Sequence, residues 1–183
     1  MTSFRDLEGL SGTEKVFLKV SVALITFILV TGLFYPFWTH SSWVRVIKVV
    51  DGDTVKVRQS GSLRTVRLKG IDAPETTAYN APGEFPGVPR DSWRCLENWG
   101  YRANSFVEER IEGEMVSLIY RHGVLTVEKG RYNRLLGRIY LPGSGKNLGR
   151  LLVKKGLARS YGGKYLEEER KARNLSLGLW QCG

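Results

Sequence analysis

Histidine and cysteine are the scarcest reactive residues in this 183-residue chain, at two each. His40 follows a hydrophobic segment, and His122 falls in an Arg-His-Gly stretch that reads as a turn. A Ser-His-Asp triad, a two-histidine acid/base ribonuclease and a HExxH zinc site therefore have almost no material here. Cys95 and His122 would make a nucleophile and a base, yet nothing in the sequence orients the pair. Internal repeats and low-complexity tracts are absent too. The length suits one globular domain with a short appendage, and 42% apolar residues is ordinary for a packed core.

Charge is also missing from the first part of the chain. Residues 1–38 are neutral, three bases against three acids, so the whole formal excess of +10 lies beyond them. Between Arg131 and Arg173 stand twelve basic residues and only three acidic ones, Glu167, Glu168 and Glu169. Such a field gathers polyanions, which fits nucleic acid or an anionic membrane surface. A merely soluble basic protein is the plain alternative.

From Val20 to Trp38 nineteen residues pass without a charge. As a helix they would span roughly 28 Å, close to the hydrocarbon thickness of a bilayer. Lys15 and Lys19 precede the run, and Tyr35, Trp38 and Trp43 follow as an interfacial belt would. Residues 1–19 are thus expected as a cytoplasmic segment, 20–38 as a transmembrane signal anchor, 39–43 as a polar hinge and 44–183 as an extracytoplasmic domain. Secretion after signal cleavage is the rival, although bulky Tyr35-Pro-Phe-Trp38 is a poor cleavage site. A buried core helix would carry one apolar stripe, and this run is apolar on every face.

The pattern then turns to period two. Val44, Val46, Val49, Val55, Val57, Val66 and Leu68 recur between the turn pairs Asp51-Gly52 and Ser60-Gly61, which predicts strands near 43–50, 53–59 and 63–69. Residues 76–91, with three prolines and two glycines, read as a loop. Helical spacing of Leu96, Ala103, Phe106, Val107 and Ile111 predicts a helix, and 115–120 and 135–141 alternate as strands. Asn147 is a good N-cap and Gly156 a good stop for a second helix; a third lies near 164–174. The expectation is an α+β, mainly β, fold: a five-stranded OB-type barrel with three helices, preceded by the membrane helix.

Three clusters carry candidate chemistry. Asp51-Gly52-Asp53-Thr54 is by itself a common hairpin turn, and no EF-hand starts there, because the twelfth position is Ser62 or Arg64. In Arg67-Leu-Lys-Gly-Ile-Asp72-Ala-Pro74-Glu75, two carboxylates three apart around a proline turn can face one pocket. One would be a hard-cation ligand and the other a base for water; a solvated turn is the alternative. Arg131-Tyr132-Asn133-Arg134 alternates phosphate-binding and stacking groups, or merely charges a strand edge.

In this order, DGDT, RLxGIDAPE, RYNR and then LVxxGLA, the chain closely resembles the staphylococcal nuclease family from about Val44 to Trp180. The resemblance implies a calcium-dependent nuclease. It makes Asp53 and Asp72 the Ca²⁺ carboxylates with the carbonyl of Ala73 as a further ligand, and Glu75 the residue that orients or deprotonates water. Arg67 and Arg134 become the phosphate-binding guanidinium groups, and Tyr132, Tyr161 and Arg131 nucleotide contacts. DNA, RNA or both are the implied partners of a monomer.

Two departures stand out: Gly130 replaces the family's acid and Asn133 its glycine, although asparagine tolerates the left-handed backbone. Some family members have lost catalytic residues and serve as binding modules. Here all five matched positions are filled. Cys95 and Cys182 are expected as a disulfide in an oxidising compartment, with two buried free thiols as the alternative.

Overall fold

The computed structural model describes residues 13, 20–26, 38–77, 80, 83–122 and 134–183. The chain divides into two compact units, Met1–Trp38 and Thr39–Gly183. In the first, residues 20–26 are helical, with Val20, Val22, Leu24 and Ile25 exposed and the Thr26 hydroxyl donating back to the Val22 carbonyl at 2.8 Å. Residues 27–37, most of the expected membrane span, lie outside the described residues. No helix among the described residues is long and apolar enough to cross a membrane.

The second unit is a closed barrel in the order β1-β2-β3-β6-β5. Its strands are β1 (Trp38–Asp51), β2 (Thr54–Gln59), β3 (Ser62–Leu68), β5 (Met115–His122) and β6 (Leu135–Tyr140). Two short strands, β4 (Ile71–Asp72) and β7 (Arg159–Ser160), pair separately. Helix α1 (Trp93–Ile111) follows β4, α2 (Leu148–Lys154) follows β6, and α3 (Leu166–Asn174) precedes a 3₁₀ helix, Gly178–Cys182. The five-stranded barrel with helices after the third and fifth long strands agrees with expectation.

Two boundaries differ, and two short strands are added. β1 begins at Trp38, so the last residue of the expected anchor and the whole expected hinge 39–43 belong to a strand. The Ser42 hydroxyl there accepts from the Gln59 side chain at 2.9 Å, which ties this extension to the end of β2. β5 runs through His122, so Arg121-His122 continue the strand instead of forming a turn. β4 and β7 are too short to leave a periodic signal.

Val44, Val46 and Val49 of β1 all point inward although the last two are an odd number of positions apart, with two residues between them. A register shift between Val46 and Lys48 explains it, since the added residue of a bulge resets which side faces the core. Val55, Val57, Val66, Leu118 and Ile139 close the barrel interior, capped by Ala103, Val107 and Ile111 of α1 and Leu148 and Leu152 of α2. Asn147 caps α2 as expected, its side chain accepting from the Arg150 N–H at 2.8 Å, and Gly156 ends the turn at φ +67°.

The proline-rich loop has its own core. Phe85 and Val88 pack with Leu96, Ala172, Leu179, Trp180 and Cys182, and the Arg173 guanidinium, over the Trp180 ring, donates to the Pro86 carbonyl at 2.6 Å. The Cys95–Cys182 disulfide is present, with a Cα–Cα distance of 5.8 Å across a separation of 87 residues. It fastens the C-terminus to the start of α1.

Candidate active site

Four backbone segments meet beside α1: the β1–β2 turn, the end of β3, the stretch from β4 to Glu75, and β7. In the turn, the Asp51 side chain accepts the Asp53 N–H at 2.9 Å, an Asx-type closure that turns the Asp53 side chain into the fold. Asp53 is 2% exposed. Its Oδ2 accepts the Ala73 N–H at 3.0 Å and its Oδ1 the Thr54 hydroxyl at 3.0 Å, while its carbonyl accepts the Leu68 N–H at 2.7 Å. One aspartate thus joins three segments.

Arg67 stands on the outer face of β3, between the inward Val66 and Leu68. Its guanidinium bridges two carboxylates: Nη1 lies 2.7 Å from Asp53 Oδ1, and Nη2 pairs with Asp72 Oδ1. Asp72, 7% exposed, meets a second arginine on its other oxygen. Arg159 Nη2 lies 2.7 Å and Nε 3.0 Å from Asp72 Oδ2, because β4 and β7 place the two residues directly opposite. Sequence reasoning missed Arg159; its signal was its place immediately after the Gly156-Leu-Ala motif.

Helix α1 sits unusually close to these loops. A Cβ on Gly100 would lie 2.4 Å from the Glu75 carbonyl oxygen, and one on Gly52 2.8 Å from Ala103 Cβ and 2.9 Å from Ala73 Cβ. Small residues at 100 and 103, one turn apart on the helix, let its backbone press on both acidic loops. Asn80 completes the support: 6% exposed, it accepts the Glu75 N–H at 2.8 Å and donates to the Glu75 and Thr77 carbonyls at 3.3 Å each. Asn80 was not singled out in the sequence, where it is one polar residue in a long loop.

Electrostatics follow from this crowding. Burial pushes the Asp53 carboxyl well above its ordinary value, Asp51 and Asp72 adding to the rise while Arg67 and the Ala73 N–H oppose it. Burial also raises Glu75, with Asp51 and Asp72 reinforcing it against Arg67. Arg67 is held more firmly charged by Asp53 and Asp72, although burial alone would lower it. Two guanidinium groups therefore face four carboxyls, an imbalance that a divalent cation would correct. The donors are all oxygen, which suits a hard cation. Among the described residues no cluster of three or more His, Cys, Asp or Glu side chains that could hold a metal ion is present.

The other expected residues fall as follows. Arg134, half-buried, directly precedes β6, whose parallel pairing sets Leu136 opposite Arg67. Residues 134, 136 and 138 alternate outward with the inward 135, 137 and 139, so Arg134 shares the outer face with Arg67. Tyr161 is 60% exposed; its N–H is fixed to the Gly70 carbonyl at 3.0 Å, and its ring lies 5.5 Å from the Arg159 guanidinium. Arg131 and Tyr132 lie outside the described residues.

Residues 65–182 match the family model described as staphylococcal nuclease homologue. The chain belongs to the staphylococcal nuclease family. An uncharacterised protein of Methanocaldococcus jannaschii is 31% identical over 171 residues, covering 81% of this chain and 82% of its own. The thermonuclease of Staphylococcus hyicus is 31% identical over 145 residues, 74% of each chain. A prophage-derived endonuclease of Bacillus subtilis is 29% identical over 146 residues, covering 75% of this chain and 43% of its own. The staphylococcal nuclease match takes in Arg67, Asp72, Glu75, Arg134, Arg159 and Tyr161; Asp53 comes before it in the chain and is joined to it through Arg67.

Proposed function

We propose that this chain is a nuclease that hydrolyses phosphodiester bonds of DNA, RNA or both with little sequence preference, and that it works with bound calcium. The observation that carries the reading is the convergence of buried Asp53 and Asp72 on one guanidinium, Arg67, beside a carboxyl raised above its ordinary value, Glu75. Thermonuclease and endonuclease relatives support the same reaction class.

A hard divalent cation held by Asp53, Asp72 and the Ala73 carbonyl would stabilise the negative charge that builds on the phosphoryl oxygens. Glu75 takes the proton from the attacking water, its raised carboxyl being better matched to neutral pH than an ordinary glutamate. Arg67 and Arg134 hold the non-bridging oxygens through charge-assisted hydrogen bonds, and loss of one such group costs on the order of 3 to 4 kcal/mol of barrier. Tyr161, Tyr132 and Arg131 meet sugar, base face or phosphate, contacts that carry little base identity. Arg159 positions Asp72.

The same reading places the domain outside the membrane, tethered by Val20–Trp38 as a single-pass anchor, and acting as a monomer. Support comes from the helical residues 20–26 with their exposed apolar side chains, from exposed Trp43 at the head of the domain, and from a disulfide suited to an oxidising compartment. The test is cleavage of single-stranded DNA and of RNA by the purified chain, with calcium and with excess chelator. Calcium-dependent cleavage is expected. Tight binding without cleavage under any divalent cation would favour the binding-module reading instead.

A further inference from the structure

A groove of about 910 Å³ opens between β6, α2 and α3, apart from the carboxylate cluster. Arg138, Lys146, Arg150, Lys154, Lys164 and Lys171 line it, against one carboxylate, Glu168. That carboxylate is already matched, its Oε1 lying 2.6 Å from Arg150 Nη2, and Lys171 pairs with Glu167 at 3.4 Å. Arg138, Lys146, Lys154 and Lys164 enter no salt bridge among the described residues. Four like charges around one concavity repel each other, and the contact that relieves them is an anion.

Arg138 adds an independent sign. Its Nε is shut off from solvent with no hydrogen-bond partner among the described residues, although buried donors are nearly always paired. The guanidinium lies beside the Tyr165 hydroxyl on the groove wall rather than beside a carboxylate. Tyr165 is the hydrogen-bonding neighbour of this arginine, its Nε is left without a partner among the described residues, and the residue lines the groove.

We propose that this groove is a second binding site for the nucleic-acid backbone, gripping the strand that flanks the scissile phosphate. The inference rests on the nuclease reading of the carboxylate cluster and deepens it. Two connections run from that cluster to the groove. Arg134 and Arg138 share the outer face of β6 four residues apart, about 13 Å at the rise of a strand. Lys164 packs on Gly70, two residues before Asp72, where a Cβ would stand 3.0 Å from Lys164 Cβ, and the Gly70 carbonyl also holds Tyr161. A strand leaving Arg67 and Arg134 thus passes Tyr161 and Lys164 and enters the groove, where the half-buried Tyr140 offers a ring for stacking. That reach fits within the span of about 4 to 16 nucleotides that OB folds cover. A flat lipid surface would use none of this depth.

The test compares oligonucleotides of about 4 and about 16 nucleotides on the full chain carrying Lys146→Gln with Lys154→Gln, both exposed groove positions. Arg138→Gln serves as a second variant, and Lys48→Gln with Lys56→Gln, exposed on β1 and β2, as a charge-matched control. Affinity for the long strand, measured in chelator so that nothing is cleaved, is expected to fall about tenfold in the groove variants. The salt slope should shrink by about 1.4, or 0.7 for each lost phosphate contact. Cleavage of the short strand should match the parent, and the control should match it throughout. Equal losses on both lengths, equal losses in the control, or a loss confined to anionic phosphatidylserine vesicles would each overturn the proposal. Absence of cleavage by the parent would sink the nuclease reading while the chelator binding data still judged the groove.

Discussion

Gly100→Ala separates two opposite expectations. Helix propensity alone says that alanine inside α1 stabilises by about 0.8 to 1.0 kcal/mol. At this position the added Cβ would lie 2.4 Å from the Glu75 carbonyl oxygen, 2.7 Å from that of Pro74 and 2.8 Å from the Glu75 carbonyl carbon. All three are backbone atoms, so no rotamer change relieves the clash; helix or loop must move. Overpacking of this kind costs about 1 to 3 kcal/mol, leaving a net loss of up to about 2 kcal/mol after the propensity gain. For a domain of this size that lowers Tm by up to about 8 °C.

The effect on activity should be larger than the effect on stability. Asn80 grips both the N–H and the carbonyl of Glu75, so a shift of this backbone carries the carboxylate with it. Misplacement by about 1 Å costs on the order of a hundredfold in rate. Thermal unfolding and kcat/KM, measured on the variant and on Tyr101→Ala at the exposed neighbouring position, provide the readout. A Gly100→Ala protein that is both more stable and fully active would refute the account of how α1 holds the site.

Replacing Cys95 and Cys182 by serine removes a cross-link over 87 residues, and the chain-entropy model gives a loss of roughly 4 kcal/mol; denaturant titration measures it, and an unchanged midpoint would contradict it. The raised carboxyls of Asp53 and Glu75 mean that the folded, cation-free domain binds more protons than the unfolded chain. Their contribution to stability should therefore be fullest below the ordinary carboxylate range and be lost as pH rises through the raised folded-state values, with calcium removing the loss; calorimetry in which the Asp53→Asn, Glu75→Gln double variant keeps the parent's cation-free pH dependence would count against the burial argument. Glu75→Gln should slow single-turnover cleavage by about a hundredfold or more while leaving calcium-dependent binding of an uncleaved oligonucleotide intact. Cleavage at the parent rate would remove Glu75 from the mechanism.

The barrel is legible in the sequence because each long strand is half-buried. Valines alternate with charged residues in β2, Val66 and Leu68 flank Arg67 in β3, and a two-residue turn signal separates the two strands. α1 is legible for a similar reason, its buried residues recurring at helical spacing. β4 and β7 are not, since two residues make no period. The start of β1 was misplaced because Trp38 continues an unbroken apolar run, and hydropathy alone does not distinguish the end of a helix from the beginning of a strand.

The site divides along the same line. Asp53, Arg67, Asp72 and Glu75 could be named in advance because two short, chain-local motifs hold them. Arg159, Asn80 and Gly100 act on the same few atoms from three distant segments, and in one dimension each looks ordinary: an arginine in a basic region, an asparagine in a loop, a glycine in a helix. Only the pairing of β4 with β7 turns Arg159 into a partner of Asp72. The closeness of α1 gives Gly100 its steric constraint, and the fold of the proline-rich loop brings Asn80 to Glu75. Local motifs therefore supply the proposed reacting groups, while long-range packing supplies the groups that hold them in position. Substitutions in the second set should lower rate and stability together, whereas Glu75→Gln should lower rate without lowering stability.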